Sequence, residues 1–170
     1  MLFSRHRITP KDRIQCEEGR YGHGYLSMHN HETVAKALGY AGLIPFVVFS
    51  IGAWVPLPFV LYPVDYLVAY AAVILAFMGA IHWGAAMAGP DKLRTRYFIA
   101  SVIPALVAWS TLLMPQPIAL IVLLAGFVSL YAFDRASSRL QDFPGWYMPM
   151  RLRLTTVVAV CLAVALTSLQ

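Results

Sequence analysis

One histidine lies inside an apolar stretch of the chain, in the segment Phe77-Met-Gly-Ala-Ile-His-Trp-Gly84. An imidazole exchanges protons near neutral pH, so His82 is a candidate for proton transfer or ligand binding. An ionisable side chain within a membrane segment indicates a function by default. The alternative is structural: His82 donates a hydrogen bond to a carbonyl of a neighbouring helix, and Trp83 belongs to the aromatic belt at the membrane surface.

Four charged residues flank the later apolar segments on the same predicted side as His82, namely Asp134, Arg135, Arg151 and Arg153. In one interpretation, His82, Asp134 and one arginine converge on an anionic or quinone-like headgroup. In the other, they form an ordinary interfacial girdle in which Asp134 pairs with an arginine. Acid–base chemistry would require His82 and Asp134 to come within hydrogen-bond distance.

The sequence contains none of the common catalytic signatures, such as a nucleophile elbow, a zinc-protease motif, a phosphate-binding loop or a dinucleotide fingerprint. Cys16 and Cys161 lack the neighbouring ligands of a metal site and are predicted to lie on opposite sides of a membrane. We therefore expect no enzyme activity, no cofactor and no metal.

The composition indicates that the elements positioning these residues are membrane helices. Of 170 residues, 59% are hydrophobic and 12% are charged, which is unlike a soluble globular domain. About 20 apolar residues cross a bilayer. We predict an all-α, polytopic membrane helix bundle over residues 34–170, after a disordered cytoplasmic tail of residues 1–33. Its five transmembrane helices span about 35–54, 66–88, 97–114, 117–133 and 152–169.

The distribution of lysine and arginine predicts the orientation of these five spans. All 13 lie before or at the start of the first span, between the second and third, or between the fourth and fifth. The positive-inside rule therefore places the N-terminus in the cytoplasm and the C-terminus outside. The net charge of +5 is explained by this rule and by anionic lipid, so we expect no nucleic-acid partner.

Small residues recur along the second span. We predict that they allow close helix packing, either within the bundle or against a partner subunit; they are Ala72, Ala76, Gly79, Ala80 and Gly84. Pro45 and Pro104 lie inside the first and third spans. Because proline removes a backbone hydrogen bond, we expect each to kink its helix.

Four segments carry a resemblance to a known family. They are Leu38-Gly-Tyr-Ala-Gly-Leu-Ile-Pro-Phe46, Phe77-Met-Gly-Ala-Ile-His-Trp-Gly84, Ser101-Val-Ile-Pro-Ala-Leu-Val-Ala-Trp109 and Trp146-Tyr-Met-Pro-Met-Arg-Leu-Arg153. In this order the chain resembles the transmembrane protein 69-like family, also called domain of unknown function 3429, from about Leu38 to Leu169. The resemblance implies a multi-pass protein of bacterial inner membranes and carries no established activity.

Two hypotheses about function follow. The first is a non-enzymatic accessory or assembly component that contacts other membrane subunits, or itself, through its helices. The second is a carrier or binding protein for a small molecule, lipid or quinone, with an inner-leaflet site near His82. Both make membrane lipids partners of the chain.

Overall fold

The computed structural model describes residues 32–56, 58, 60–88, 91–137 and 144–170, and for residues 88 and 91–93 it describes the backbone alone. The chain divides into two units, Met1–Gly39 and Tyr40–Gln170. In the first unit, residues 32–39 are helical and Lys36 pairs with Glu32. The predicted tail up to residue 31 lies outside the described residues.

Five helices follow in the second unit. They are α1 (Ile44–Gly52), α2 (Pro63–Ala88), α3 (Asp91–Thr111), α4 (Gln116–Ser137) and α5 (Tyr147–Thr167). Helices α4 and α5 are longer than the predicted spans, because both continue through the charged and aromatic residues at which the apolar stretches stop. The regular elements of the described residues are thus helical, as predicted.

Four stretches are long and apolar enough to cross a membrane: Glu32–Gly52, Pro63–Met87, Gln116–Ser137 and Tyr147–Thr167. Helix α3 is not among them, because its first turns carry Asp91, Lys92, Arg94 and Arg96 and leave a short apolar part. The structure therefore supports membrane helices, and the count of five spans stays a prediction.

Contacts at the helix ends define how the second unit is arranged. Gln116 Nε2 donates to Asp65 Oδ1 at 2.6 Å, so α2 and α4 begin side by side. The end of α2 lies beside the start of α3, where Arg94 Nε donates to the carbonyl of Ala86 at 3.2 Å. Helix α3 packs along α2 and α4. It therefore runs from one end of this unit to the other, antiparallel to both.

The core at the centre of this unit is built from apolar side chains of α1, α2, α4 and α5. Phe46 lies edge-on to Tyr70 and Phe127, with ring centroids 5.1 and 6.1 Å away. Fully buried leucines fill the space around it: Leu67, Leu75, Leu120, Leu123 and Leu162. Burying such side chains is favourable in any protein interior because close packing gains dispersion contacts.

The two prolines behave differently. A turn at residues 42–43 interrupts the α-helix just before Pro45, which is the second residue of α1. Proline cannot donate to the carbonyl four residues earlier, which is that of Ala41. Within the same interruption, the carbonyl of Gly42 accepts a hydrogen bond from Tyr70 Oη at 3.0 Å. A side chain of α2 thus satisfies the backbone at this break, as a membrane environment requires. Helix α3, by contrast, is continuous through Pro104.

At Gly79, α2 and α3 approach each other closely. A Cβ atom at this position would lie 2.9 Å from the carbonyl oxygen of Ser101 and 3.0 Å from Pro104 Cβ. At Gly84, on the same helix, an added Cβ would meet nothing within 4 Å. The small residue is therefore required at one of these two positions only.

We predict that Gly79→Ala destabilises the protein by about 1–3 kcal/mol, because the methyl group overpacks a backbone contact that cannot move away. The matched variant Gly84→Ala should be neutral or stabilising by up to about 1 kcal/mol, since alanine is the better helix former. Unfolding of the two purified variants in mild detergent measures both changes. Equal stability of the two variants would contradict the packing.

Candidate functional site

Three buried polar side chains come together where α2 and α4 end and α5 begins. Each continues the buried stripe of its own helix, at spacings of three or four residues that keep one helical face inward. The stripes are Leu67, Ala71, Leu75, Gly79 and His82 on α2; Leu120, Leu123, Phe127, Leu130 and Asp134 on α4; and Arg151, Thr155, Val158, Leu162 and Ala165 on α5. The helices that form the core therefore also aim these three groups at one another.

His82, Asp134 and Arg151 form one connected network, which we call the triad. His82 Nε2 lies 2.8 Å from Asp134 Oδ1. Asp134 Oδ2 accepts from Arg151 Nε at 2.7 Å and lies 2.6 Å from Arg151 Nη2. The remaining guanidinium nitrogen, Nη1, contacts the sulfur of Met78 at 2.9 Å. Both carboxylate oxygens are therefore engaged, and so are all three guanidinium nitrogens.

The triad is shielded from the surface. His82, Asp134 and Arg151 are only 2%, 1% and 4% exposed. Burying a carboxylate and a guanidinium is costly unless each is paired and hydrogen-bonded. Here the pair neutralises itself, and with a neutral His82 the network has no net charge. Truncating either charged member would leave the other buried without compensation.

Aromatic rings enclose the imidazole of His82. Tyr97 of α3 stacks on it with a centroid separation of 6.2 Å and an interplanar angle of 16°. Phe133 of α4 meets it edge-on at 5.1 Å, and the Arg96 guanidinium lies 5.5 Å from the Phe133 ring centroid. Helix α3 thus contributes a wall to the site, although its side chains make no polar contact with the triad among the hydrogen bonds of the described residues.

One polar atom of the triad has no partner. A carboxylate only accepts hydrogen bonds, so a neutral His82 donates from Nε2 and leaves Nδ1 as an acceptor. Nδ1 is buried and makes no hydrogen bond within the part of the chain that the structure describes. A hydroxyl or N–H group that reached it would find an acceptor whose orientation Asp134 already fixes.

The other predicted site residues lie elsewhere. Trp83 is exposed and packs against Phe98, with ring centroids 4.8 Å apart. Arg153 Nη1 lies 3.5 Å from Tyr40 Oη on the surface, and Arg135 is also exposed. The structure therefore brings together His82, Asp134 and Arg151, and excludes Trp83, Arg135 and Arg153 from that cluster.

Sequence reasoning missed three contributors to the site. Met78 lies one turn before His82 on α2, Phe133 directly precedes Asp134, and Tyr97 follows the charged start of α3. The first could have been found from helical spacing, because residues four apart share a face. Tyr97 carries no such signal, since its contact with His82 is set by the antiparallel packing of α3 on α2.

The small-residue row divides between the inside and the outside of the bundle. Ala72 and Gly79 are buried and Ala76 is half-buried, whereas Ala80 and Gly84 are exposed. Ala72, Ala76, Ala80 and Gly84 form a row at spacings of four residues. Four residues advance about 400° around a helix, so each step of this row turns about 40° further from the core. A contact of Ala80 and Gly84 with another helix stays a prediction.

Metal binding has no support in the described residues, among which no group of three or more histidine, cysteine, aspartate or glutamate side chains could hold an ion. Cys161 is buried with a free thiol, and Cys16 lies outside the described residues.

Comparison with known proteins places the chain in a family. The family model described as "Protein of unknown function (DUF3429)" matches residues 31–167. The chain belongs to the DUF3429 family. It is also 36% identical over 134 residues to Transmembrane protein 69 of Xenopus tropicalis, an alignment that covers 75% of this chain and 51% of that protein. The chain thus spans about half the length of this relative. No solved structure matches.

The family match bears out the resemblance drawn from the four sequence segments. All three triad residues fall inside the matched range. The chain is therefore a membrane protein of a family whose description assigns no activity.

We predict that Arg151→Met destabilises the protein by about 3–5 kcal/mol, because it leaves the Asp134 carboxylate buried without its cation. The matched variant Arg153→Met should change stability by less than about 1 kcal/mol, since Arg153 is exposed. Titration of the purified variants from mild detergent into a denaturing detergent, followed by circular dichroism, measures both. Similar losses in the two variants would show that the buried pair is not special.

Proposed function

We propose that this chain is a five-span protein of a bacterial inner membrane, with its N-terminus in the cytoplasm and its C-terminus outside. We further propose that it is a non-enzymatic accessory or assembly component that acts through helix contacts with another membrane subunit or a second copy. In this proposal, the triad holds α2, α4 and α5 in register, and the exposed small residues Ala80 and Gly84 form the contact surface.

The pairing of helix ends supports five spans. Helices α2 and α4 begin together through Asp65 and Gln116 and end together at the triad. Between the end of α2 and the start of α4, the chain must therefore pass from the triad end back to the opposite end. Helix α3 makes this connection. If α2 and α4 cross the bilayer in the same direction, α3 crosses it in the opposite one.

The charge distribution supports the orientation. Five described arginines lie on α3, α4 and α5 near the triad end: Arg94, Arg96, Arg135, Arg151 and Arg153. At the other end, the Asp65–Gln116 contact involves no cation. Lysine and arginine accumulate on the cytoplasmic side of membrane proteins, so the triad end is the cytoplasmic one in this proposal.

The exposed pair Ala80 and Gly84 is the observation that carries the proposed role. These residues leave a shallow, open surface next to the buried contact at Gly79. In lipid, helices associate where small residues let their backbones approach closely. The triad supports a structural role, because Asp134 and Arg151 already saturate one another and offer no free charge for chemistry.

The orientation is tested with single cysteines in a chain whose Cys16 and Cys161 are replaced by serine. A membrane-impermeant maleimide should label Gln170→Cys on intact bacterial spheroplasts and should label Thr95→Cys only after lysis. Thr95 is suitable because it is exposed at the start of α3. Labelling of Thr95→Cys before lysis, or protection of Gln170→Cys, would contradict the proposed topology.

The contact surface is tested by mild-detergent purification of the tagged chain. We expect a stoichiometric complex, with itself or with another membrane protein, that Ala80→Leu and Gly84→Leu dissociate about tenfold or more because bulky side chains block close approach. Ala125→Leu is the matched control, since Ala125 is exposed on α4. A strictly monomeric wild-type particle would overturn the proposed role.

A second candidate function rests on the unpartnered Nδ1 of His82. A small amphiphile with a hydroxyl or N–H donor, such as a reduced quinone, fits an acceptor atom at this position better than the oxidised form does, because a quinone carbonyl cannot donate. A bound amphiphile that His82→Ala releases and Arg153→Met retains would favour this function over the first.

A further inference from the structure

A second feature of the fold lies on the outer surface between α4 and α5. An open groove of about 470 Å³ runs along these helices, from Leu124 to Tyr131 on α4 and from Leu152 to Ala163 on α5. Its lining is almost wholly apolar and does not include the triad. The groove is thus separate from the site around His82.

The dimensions of the groove suit a single hydrocarbon chain. Eleven residues separate Leu152 from Ala163, which is about 16 Å at a rise of 1.5 Å per residue. One leaflet of a bilayer core is about 15 Å thick. The groove is open to the surface along this length, so an extended acyl chain can lie in it.

The groove contains one polar atom that its own chain does not satisfy. Thr155 is 7% exposed, and its Oγ1 is buried without a hydrogen-bond partner among the described residues. The neighbouring Thr156 also lines the groove, but its Oγ1 donates to the carbonyl of Leu152 at 2.9 Å. A buried hydroxyl without a partner is unfavourable, so a molecule that brings a hydrogen-bond acceptor to Thr155 Oγ1 would gain binding energy.

A positive charge lies at the triad end of the groove. Leu124, Val128 and Tyr131 line it on one face of α4, and Arg135 lies four residues further along the same face. Arg135 is exposed, and its guanidinium has five N–H donors in a geometry that suits a phosphate. Along its length the groove thus has a cation just beyond one end, then a hydroxyl, and then an open apolar stretch.

We propose that this groove binds one anionic phospholipid of the leaflet on the triad side. Its phosphodiester contacts Arg135, an ester carbonyl accepts the hydrogen bond of Thr155 Oγ1, and one acyl chain occupies the channel towards Ala163. The order of polar and apolar groups in the groove matches the order of headgroup, ester and chain in the lipid. The inference rests on the proposed membrane crossing of α4 and α5, which alone gives a lipid access to the groove.

Native mass spectrometry of the full-length protein tests this directly. The protein is extracted in mild detergent and equilibrated with equal amounts of phosphatidylglycerol and phosphatidylcholine. The wild type should retain one phosphatidylglycerol in preference to phosphatidylcholine. Arg135→Gln should reduce that preference about three- to fivefold, as expected for an exposed ion pair. Thr155→Val should weaken binding of both lipids about two- to tenfold, because it removes one hydrogen bond.

Matched variants separate the groove from its surroundings. Thr156 lines the same groove, but its hydroxyl already donates to the carbonyl of Leu152. Thr156→Val should therefore leave lipid retention unchanged. Ala163→Phe fills the channel and should abolish retention. Val73→Ala lies on the exposed face of α2, outside the groove, and should retain the lipid as the wild type does. Circular dichroism shows whether each variant is folded.

Wild-type retention in Thr155→Val and Ala163→Phe would overturn the proposal, and so would equal retention of the two lipids by the wild type. A polypeptide that cross-links from Ala163→Cys in native membranes, in place of lipid, would also overturn it. These outcomes leave the topology and the Ala80–Gly84 contact untouched, because the cysteine labelling and the complex are measured separately.

Discussion

A carboxylate and a guanidinium buried in an apolar helix bundle must neutralise each other where they lie, and this constraint organises the structure. Neither Asp134 nor Arg151 reaches the surface, so each depends on the other for charge and on His82 and Met78 for the remaining contacts. Three helices separated along the chain are thereby held in one register. A slip of one helix by a single residue would turn its polar group about 100° away from the others.

The rest of the bundle is arranged to make this possible. At the opposite end, Asp65 and Gln116 align α2 and α4 so that their last turns also meet. Gly79 lets α3 approach α2 closely enough for Tyr97 to cover the imidazole. Just before Pro45, Tyr70 of α2 donates a hydrogen bond to the carbonyl of Gly42. These polar groups are thus satisfied by neighbouring helices, which is the condition that a membrane imposes.

The sequence predicted the helices well, because long apolar stretches need little else to be recognised. It also singled out His82, the one histidine in such a stretch, and Asp134 at the end of another. It left open which arginine would join them. Arg151 and Arg153 point about 200° apart on α5, and α5 is apolar on nearly every side, so no hydrophobic periodicity marks its inner face. Only packing against α4 distinguishes the two.

The contacts of the small-residue row and the surface groove could not be predicted from the sequence, because both depend on how neighbouring helices pack. A row of small residues at spacings of four is regular in sequence but winds around the helix, so Ala72 and Gly84 cannot share one contact. The groove between α4 and α5 arises from residues such as Ala159 and Ala163, whose small size creates space only once the neighbouring helix is in place. Features that two helices form together cannot be predicted from the sequence of either helix alone.

A double-mutant cycle measures most directly whether Asp134 and Arg151 stabilise the bundle as a pair. Unfolding free energies would be measured for the wild type, Asp134→Leu, Arg151→Met and the double variant in the same detergent. The account predicts that each single variant loses about 3–5 kcal/mol, whereas the double variant loses no more than either single one, because an apolar pair replaces the charged pair without leaving a charge behind. Losses that add to within about 0.5 kcal/mol would show that Asp134 and Arg151 do not depend on each other.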